Sequence, residues 1–223
     1  MSPDLLLLVA AITSGIVTAA LMNLKWVRVA QRVHYLPREV ARLERLWFDR
    51  QPLGALWWGG AAILALTSVQ GSAWLNMPEL AWLAVIAPLM ILPTPWRLPF
   101  RGATSPLAWT PRAQRAYAGI FVLQLVLGTL TVVVLGPAGV LIPLLFTANL
   151  ADLALGFLWY LERNLTMKFV SQAQRKLKRV KPRVVAITGS YGKTSTKGYV
   201  ATLVGGTHST VASPASFNNL MGL

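Results

Sequence analysis

The strongest constraint on this chain is a series of apolar segments that are each about as long as a membrane is thick. The segment 5–24 contains no charged side chain, and roughly 20 apolar residues carry a helix across the hydrocarbon core of a bilayer. The chain is 55% hydrophobic and 13% charged, with a mean hydropathy of +0.54, which is too apolar for an ordinary soluble domain. We expect a helical membrane bundle of about five transmembrane helices, at 5–24, 52–69, 74–92, 116–135 and 140–160.

The basic residues fall on one side of this arrangement. Of the 21 Lys and Arg residues, seven lie between the first two predicted spans, four between the third and fourth, and ten after the fifth. Basic loops stay in the cytoplasm, so this distribution predicts a multi-pass protein of the cytoplasmic membrane with its N-terminus outside. The net charge of +14 is then a membrane-topology signal, and we expect no nucleic-acid partner.

Two basic segments flank the predicted spans. Residues 25–50 carry an apolar helical stripe interrupted at Pro37, typical of a helix that lies on anionic lipid, packs on a catalytic domain or covers the cytoplasmic end of the bundle. Residues 161–183 hold eight basic residues and one acidic residue. They predict a juxtamembrane linker helix that ends before Pro182 and binds membrane lipid, with a solvated linker as the alternative.

A polar pair interrupts the fifth predicted span. Asn149 and Asp152 are three residues apart and therefore share one helix face. A carboxylate inside a membrane is costly and must face protein or water. The pair indicates either a polar site that meets a lipid-linked head group or partner, or a hydrogen-bonded contact between helices, for which Gln124 is a candidate partner.

The segment 184–197, VVAITGSYGKTSTK, has the order of a strand, a glycine loop and a helix. In such a loop glycines let the backbone approach a polyphosphate, and the amides at the helix start face the anion. Lys193 is placed to reach the terminal phosphates and Thr194 to bind Mg²⁺. The broad phosphate-loop pattern requires glycine at position 187, where this chain has isoleucine. A helix at 194–204 and a strand at 209–212 extend the prediction to the beginning of a parallel α/β domain.

The segment 188–195, TGSYGKTS, resembles the ATP loop of the Mur ligases, and residues 196 and 197 with the segment 213–222, SPASFNNLMG, are similar to the MurF type. The resemblance implies that 184–223 begins a P-loop α/β Mur-ligase central domain that uses ATP and Mg²⁺. It implies that Lys193 is catalytic, that Thr194 binds Mg²⁺ and that Asn218 and Asn219 lie on the substrate side. The residues it implies at the ATP phosphates are Gly189, Ser190, Tyr191, Gly192, Lys193, Thr194 and Ser195.

The same resemblance implies an activity. A membrane-bound, ATP-dependent ligase of peptidoglycan precursor synthesis would join a muramyl-peptide-type substrate to an amino acid or dipeptide, through an acyl phosphate. Helices replace the UDP-sugar domain of the family, and the family's Mg²⁺-binding Glu, modified Lys and C-terminal domain would lie beyond Leu223. We therefore expect an amino-terminal fragment. The alternative is a non-catalytic, ATP-binding membrane anchor or scaffold for a cell-wall ligase.

Overall fold

The computed structural model describes residues 2–73, 77–96, 98 and 106–213. The chain forms two compact units, of which the first ends at Tyr160 and the second begins at Leu161. Across the described residues the structure is helical and has no strand. The α-helices are α1 (Pro3–Arg32), α2 (Glu39–Arg50), α3 (Pro52–Ala73), α4 (Leu83–Met90), α5 (Pro111–Leu135), α6 (Leu141–Leu145), α7 (Thr147–Val180) and α8 (Lys193–Gly205), and 3₁₀ helices occur at Pro78–Trp82 and Gly136–Val140.

Three helical stretches among the described residues are long and apolar enough to cross a membrane, and they indicate a membrane protein. They are Pro3–Arg32, Pro52–Gln70 and Pro111–Leu145. The first two confirm the helices predicted at 5–24 and 52–69, and the third contains the one predicted at 116–135. Helix α5 begins earlier than predicted because Thr110 caps it: the Thr110 hydroxyl accepts a hydrogen bond of 3.2 Å from the Ala113 amide.

The third predicted span, 74–92, is not one continuous helix. Its described part consists of the 3₁₀ helix Pro78–Trp82 followed by α4, which together extend about 22 Å. Pro88 lies inside α4, and proline lacks the amide that a continuous helix needs. The described part of this predicted span is therefore formed by two short helices, and residues 74–76 lie outside the described part of the chain.

The fifth predicted span, 140–160, is also interrupted. The chain passes through the 3₁₀ helix Gly136–Val140 and the short α6 before α7 begins at Thr147. Pro143 in α6 cannot donate to a helical ladder, and the Thr147 hydroxyl donates to the Leu144 carbonyl over 2.7 Å. Helix α7 then runs without a break through the predicted linker and ends at Val180, before Pro182, so the prediction of a helix in this segment is confirmed.

Both interrupted segments run antiparallel to the helix that precedes them. Along α5 and the returning segment, Thr131 pairs with Gly139 (2.7 Å from hydroxyl to carbonyl) and Gln124 with Thr147 (3.0 Å between side chains). A Cβ built on Gly119 would meet the Ala154 methyl at 3.4 Å. Residues later in α5 thus contact residues earlier in the returning segment, as expected for two antiparallel segments. The segment 78–90 likewise packs along α3: the Trp57 indole near the start of α3 donates to the carbonyl of Met90 at the end of α4, and the 3₁₀ helix Pro78–Trp82 also contacts α3.

Several helix ends that carry basic residues lie at one end of the first unit, which we call the basic end. It comprises the C-terminal part of α1, all of α2, the first turns of α3 and α5, and residues 92–94. The ammonium of Lys25, only 3% exposed, donates to the carbonyls of Leu92 (2.6 Å) and Thr94 (2.9 Å), just past the end of α4. A cation is favourable there because the carbonyls at a helix C-terminus carry partial negative charge.

The predicted strands at 184–187 and 209–212 are not formed. A strand requires a neighbouring strand to pair its amides and carbonyls, and the described residues of the second unit contain none. The predicted helix between them is confirmed as α8, which ends at Gly205. The helical membrane part of the predicted fold class is therefore present, and the described residues do not show a phosphate-loop α/β domain.

Candidate functional site

The loop that precedes α8 has the backbone conformation that its glycines permit. Gly189 has a φ of 152° and Gly192 a φ of 73°, values that residues with a Cβ adopt only with strain. Gly192 is the N-cap of α8, which starts at Lys193. The sequence prediction of a glycine loop leading directly into a helix is confirmed, although the segment before it is not a strand.

The N-terminus of α8 presents amide groups without a side-chain cap. Gly192 offers no side chain, and the earliest backbone bond of the helix joins the Thr196 amide to the Gly192 carbonyl over 2.9 Å. The amides of Lys193, Thr194 and Ser195 therefore precede the intrahelical ladder. Together with the helix dipole they favour an anion at this position.

The two lysines of this region have different roles. The Lys193 ammonium donates to the Gly189 carbonyl and so lies across the loop. The Lys197 ammonium, one turn further along α8, donates to the Ser213 carbonyl at 2.7 Å. The cation that the sequence assigns to the phosphates is thus the one that the structure places over the loop.

The other predicted phosphate-binding residues lie in the same short stretch. Ser190, Tyr191, Thr194 and Ser195 are exposed, and Tyr191 is 96% exposed. The loop therefore brings together all seven predicted phosphate-binding residues around the start of α8. Asn218 and Asn219, predicted on the substrate side, lie outside the described residues.

The residues of the loop fit a polyphosphate better than they fit a bare metal ion. No acidic residue occurs in the sequence after Glu162, and the described residues contain no group of three His, Cys, Asp or Glu that could hold a metal. The Thr194 hydroxyl is a single oxygen ligand. Mg²⁺ commonly takes few protein ligands and completes its shell with phosphate oxygens and water, so Thr194 fits a magnesium ion that arrives with a nucleotide.

A second polar arrangement lies at the basic end of the first unit. The Asp152 carboxylate of α7 accepts hydrogen bonds from the backbone amides of Val40 (3.1 Å) and Ala41 (2.9 Å) at the start of α2. Arg38, the N-cap of α2, supplies no side-chain hydrogen bond. Asp152 therefore caps α2 from another helix, which is favourable because a carboxylate complements the positive end of the helix dipole.

This arrangement decides between the alternatives for the polar pair in α7. Asp152 makes a hydrogen-bonded helix contact, but its partner is α2 and not Gln124. Gln124 instead accepts from the Asn23 amide (2.8 Å) and donates to the Thr147 hydroxyl (3.0 Å). Asn149 is exposed, so the two residues do not form one buried polar site.

Sequence reasoning missed the carboxyl group beside Asp152. Glu44 lies on the docked face of α2, is 6% exposed, and has its Oε1 atom buried without a hydrogen-bond partner. Burial, and then the nearby Asp152 carboxylate, raise the pKa of Glu44 to about 8, against a smaller lowering by Arg45. The sequence signal that could have identified Glu44 is its position four residues after Val40, which places it on the same helix face as the apolar stripe.

Replacing Glu44 should change how stability depends on pH. The folded protein holds the Glu44 proton up to about pH 8, whereas an unfolded Glu releases it near pH 4.3. The folded state binds more protons across this window, so the free energy of unfolding falls as pH rises through it. Glu44→Gln should remove this decline, and thermal unfolding followed by tryptophan fluorescence at several pH values measures it.

The matched control is Glu39→Gln, which removes an exposed carboxylate from the same helix. Glu39 forms only a surface ion pair with Arg42, at 3.4 Å, and such pairs contribute little. This variant should keep the pH dependence of the unaltered protein. Equal pH profiles for Glu44→Gln and the unaltered protein would show that Glu44 is ionised in the folded state.

The candidate site is therefore the loop 189–195 at the start of α8, and the Asp152–Glu44 arrangement is a structural contact at the basic end of the first unit. Comparison of the chain with protein-family models, with curated proteins and with solved structures finds no match.

Proposed function

We propose that this chain belongs to a membrane-bound, ATP-dependent amide ligase of peptidoglycan precursor synthesis, similar to MurF. The observation that carries the proposal is the junction at 189–195, where two glycines with positive φ lead into an uncapped helix N-terminus and a lysine lies across the loop. This combination of free amides, helix dipole and a nearby ammonium suits the terminal phosphates of a nucleoside triphosphate.

In the proposed reaction MgATP supplies the phosphoryl group. A carboxylate oxygen of the muramyl-peptide-type substrate attacks the γ-phosphorus, the bond to ADP breaks, and an acyl phosphate forms. The amine of the amino acid or dipeptide then attacks the acyl carbon, phosphate leaves with the electrons of the broken bond, the nitrogen releases a proton to solvent, and an amide bond results. The amides of 189–192, the free amides of 193–195 at the start of α8 and the Lys193 ammonium would hold the phosphates and offset the charge that develops during transfer, and the Thr194 hydroxyl would be a ligand for Mg²⁺.

We propose that the first unit crosses the cytoplasmic membrane five times, with the N-terminus outside and the loop in the cytoplasm. Support comes from the three long apolar helices, from the two interrupted segments that return antiparallel to α3 and α5, and from the gathering of basic side chains at one end. The positive-inside rule places that end in the cytoplasm. Reporter fusions at 24, 72, 101, 137 and 183 should then read in, out, in, out and in.

The activity is tested with the protein in liposomes. Supplied with MgATP, a muramyl peptide and D-alanyl-D-alanine, it should release ADP and phosphate in proportion to the amide formed, and only when both other substrates are present. Parallel assays with UDP-linked and lipid-linked muramyl peptide identify the form that is used. ADP release that does not depend on either substrate would contradict ligase activity.

A second candidate function is a nucleotide-binding membrane anchor for a separate ligase. The observation that favours it is the set of three helical stretches long and apolar enough to cross a membrane, which suit an anchor as well as an enzyme. The anchor binds MgATP but forms no amide in the same assay. Nucleotide binding without turnover therefore supports the anchor, and turnover supports the enzyme.

A further inference from the structure

Helix α2 packs against the rest of the first unit through one face. That face carries the buried Val40, Ala41 and Glu44, and the Asp152 carboxylate fixes its first turn. The ring of Trp47 packs where a Cβ on Gly54 of α3 would lie. Glu39, Trp47 and Phe48 are half-buried, and the remaining residues of the helix are exposed.

The exposed surface of α2 divides into two sectors of different character. With about 100° between successive residues, three exposed side chains fall within about 60° of one another on one flank, and another three fall within about 60° on the other. The first sector is largely apolar and consists of Leu43, Leu46 and Arg50. The second is charged and consists of Arg42, Arg45 and Asp49.

This division matches the requirements of a helix at the surface of a membrane. Leu43 is 37% exposed and Leu46 43% exposed, although α2 has a bundle face available on which to bury leucine. An interfacial helix places apolar side chains at the acyl boundary and keeps charged ones at the head groups and water. Arg50, beside the two leucines, can extend its charged group toward the phosphates while its stem stays in the apolar layer.

The surroundings of α2 also mark this end of the bundle as a membrane interface. Phe48 packs edge-to-face on Trp47 (4.9 Å between ring centroids) and on Trp58 of α3 (4.8 Å). Trp57 packs edge-to-face on Trp96 at 6.2 Å. Aromatic side chains collect at both faces of a bilayer, where their rings suit the head-group layer. The aromatic group touches both α2 and the start of α3, a helix apolar enough to cross the membrane.

We infer that α2 is an interfacial helix whose outer surface binds anionic phospholipid, with Leu43 and Leu46 at the acyl boundary and Arg45 and Arg50 on the lipid phosphates. The exposed charges favour an anionic lipid: within 25–50 the exposed basic residues are Arg32, Arg38, Arg42, Arg45 and Arg50, and the exposed acidic residue is Asp49. A basic cluster next to a transmembrane helix attracts anionic lipid by roughly a fivefold gain in binding for each cation at the surface. This inference does not depend on nucleotide binding or ligase activity.

Site-directed labelling tests where α2 lies. The chain contains no cysteine, so single cysteines can carry a nitroxide without a background signal. Leu43→Cys and Leu46→Cys labels should be shielded from a water-soluble relaxation agent and reached by oxygen from the lipid, in vesicles of phosphatidylcholine mixed with phosphatidylglycerol. Asp49→Cys, on the charged sector, is the matched control and should be reached by the water-soluble agent.

Lipid selectivity is tested with the same vesicles. Energy transfer from labelled phosphatidylglycerol to a fluorophore at position 46 should exceed that from labelled phosphatidylcholine, and Arg45→Gln with Arg50→Gln should reduce the preference by roughly fivefold for each arginine. Arg45→Lys with Arg50→Lys keeps the charge and should retain it. The inference would be overturned if the labels at 43 and 46 were accessible to the water-soluble agent, as expected for a helix that packs on a soluble domain. Equal energy transfer from the two lipids would also overturn it.

Discussion

Lys193→Ala should weaken MgATP binding by roughly 10- to 100-fold, since a hydrogen bond to a charged group is worth about 1.5–3 kcal/mol. The side chain lies across the loop, and its ammonium donates a hydrogen bond to the Gly189 carbonyl. From this position the ammonium can contact phosphates bound in the loop. Membrane insertion should not change, because Lys193 lies in the second unit. Equilibrium binding of a fluorescent ATP analogue to the protein in nanodiscs measures the effect.

Lys197→Ala is the matched control for this experiment. It removes the same charge from the same helix, but its ammonium is bonded to the Ser213 carbonyl at 2.7 Å. If Lys193 acted only through long-range electrostatics, both variants would lose a similar amount of MgATP affinity. A much larger loss for Lys193→Ala therefore assigns a direct phosphate contact, and equal losses would remove Lys193 from the site.

Asp152→Ala should release the start of α2 from the bundle at a cost of about 1–2 kcal/mol, the upper part of the range for loss of a helix cap. Two backbone amides, those of Val40 and Ala41, lose the carboxylate that accepts their hydrogen bonds. Hydrogen–deuterium exchange in peptides covering 39–50 should become faster. The pKa of Glu44 should also fall below about 8, since the Asp152 charge is one of its causes.

Asn149→Ala provides the comparison on the same helix. Asn149 is exposed and lies three residues before Asp152, so its removal should leave exchange in 39–50 unchanged. The polar-pair interpretation of α7, in which both residues serve one site, requires similar effects from both variants. Similar effects would therefore contradict the capping role of Asp152.

The sequence predicted best those elements whose determinants are local and continuous. Uninterrupted apolar runs predicted α1, α3 and α5, because a helix satisfies every backbone group within a membrane. The same reasoning did not predict the structure within 77–92 and 136–147, where hydropathy stays high but a 3₁₀ helix is followed by a short α-helix that contains a proline. Hydropathy averages over a window, whereas a single missing amide interrupts a helix.

Contacts between distant residues were the least predictable. The bond from Asp152 to α2 joins residues 112 positions apart, and nothing in the spacing of Asn149 and Asp152 indicates it. Glu44 was overlooked because the apolar stripe was followed through its hydrophobic members only. The glycine loop was predictable because its conformation depends on Gly189 and Gly192 themselves, whereas strands at 184–187 and 209–212 depend on partners that local sequence does not supply.

We propose that the loop 189–195 binds nucleotide on the cytoplasmic side of a membrane, and one labelling experiment tests both parts of this proposal. Tyr191 is 96% exposed in a chain without cysteine, so Tyr191→Cys gives a single reporter within the loop. A membrane-impermeant maleimide should label it in inside-out vesicles and not in intact cells, and MgATP should slow the labelling while MgAMP does not. Labelling of intact cells, or a labelling rate that MgATP leaves unchanged, would contradict the account.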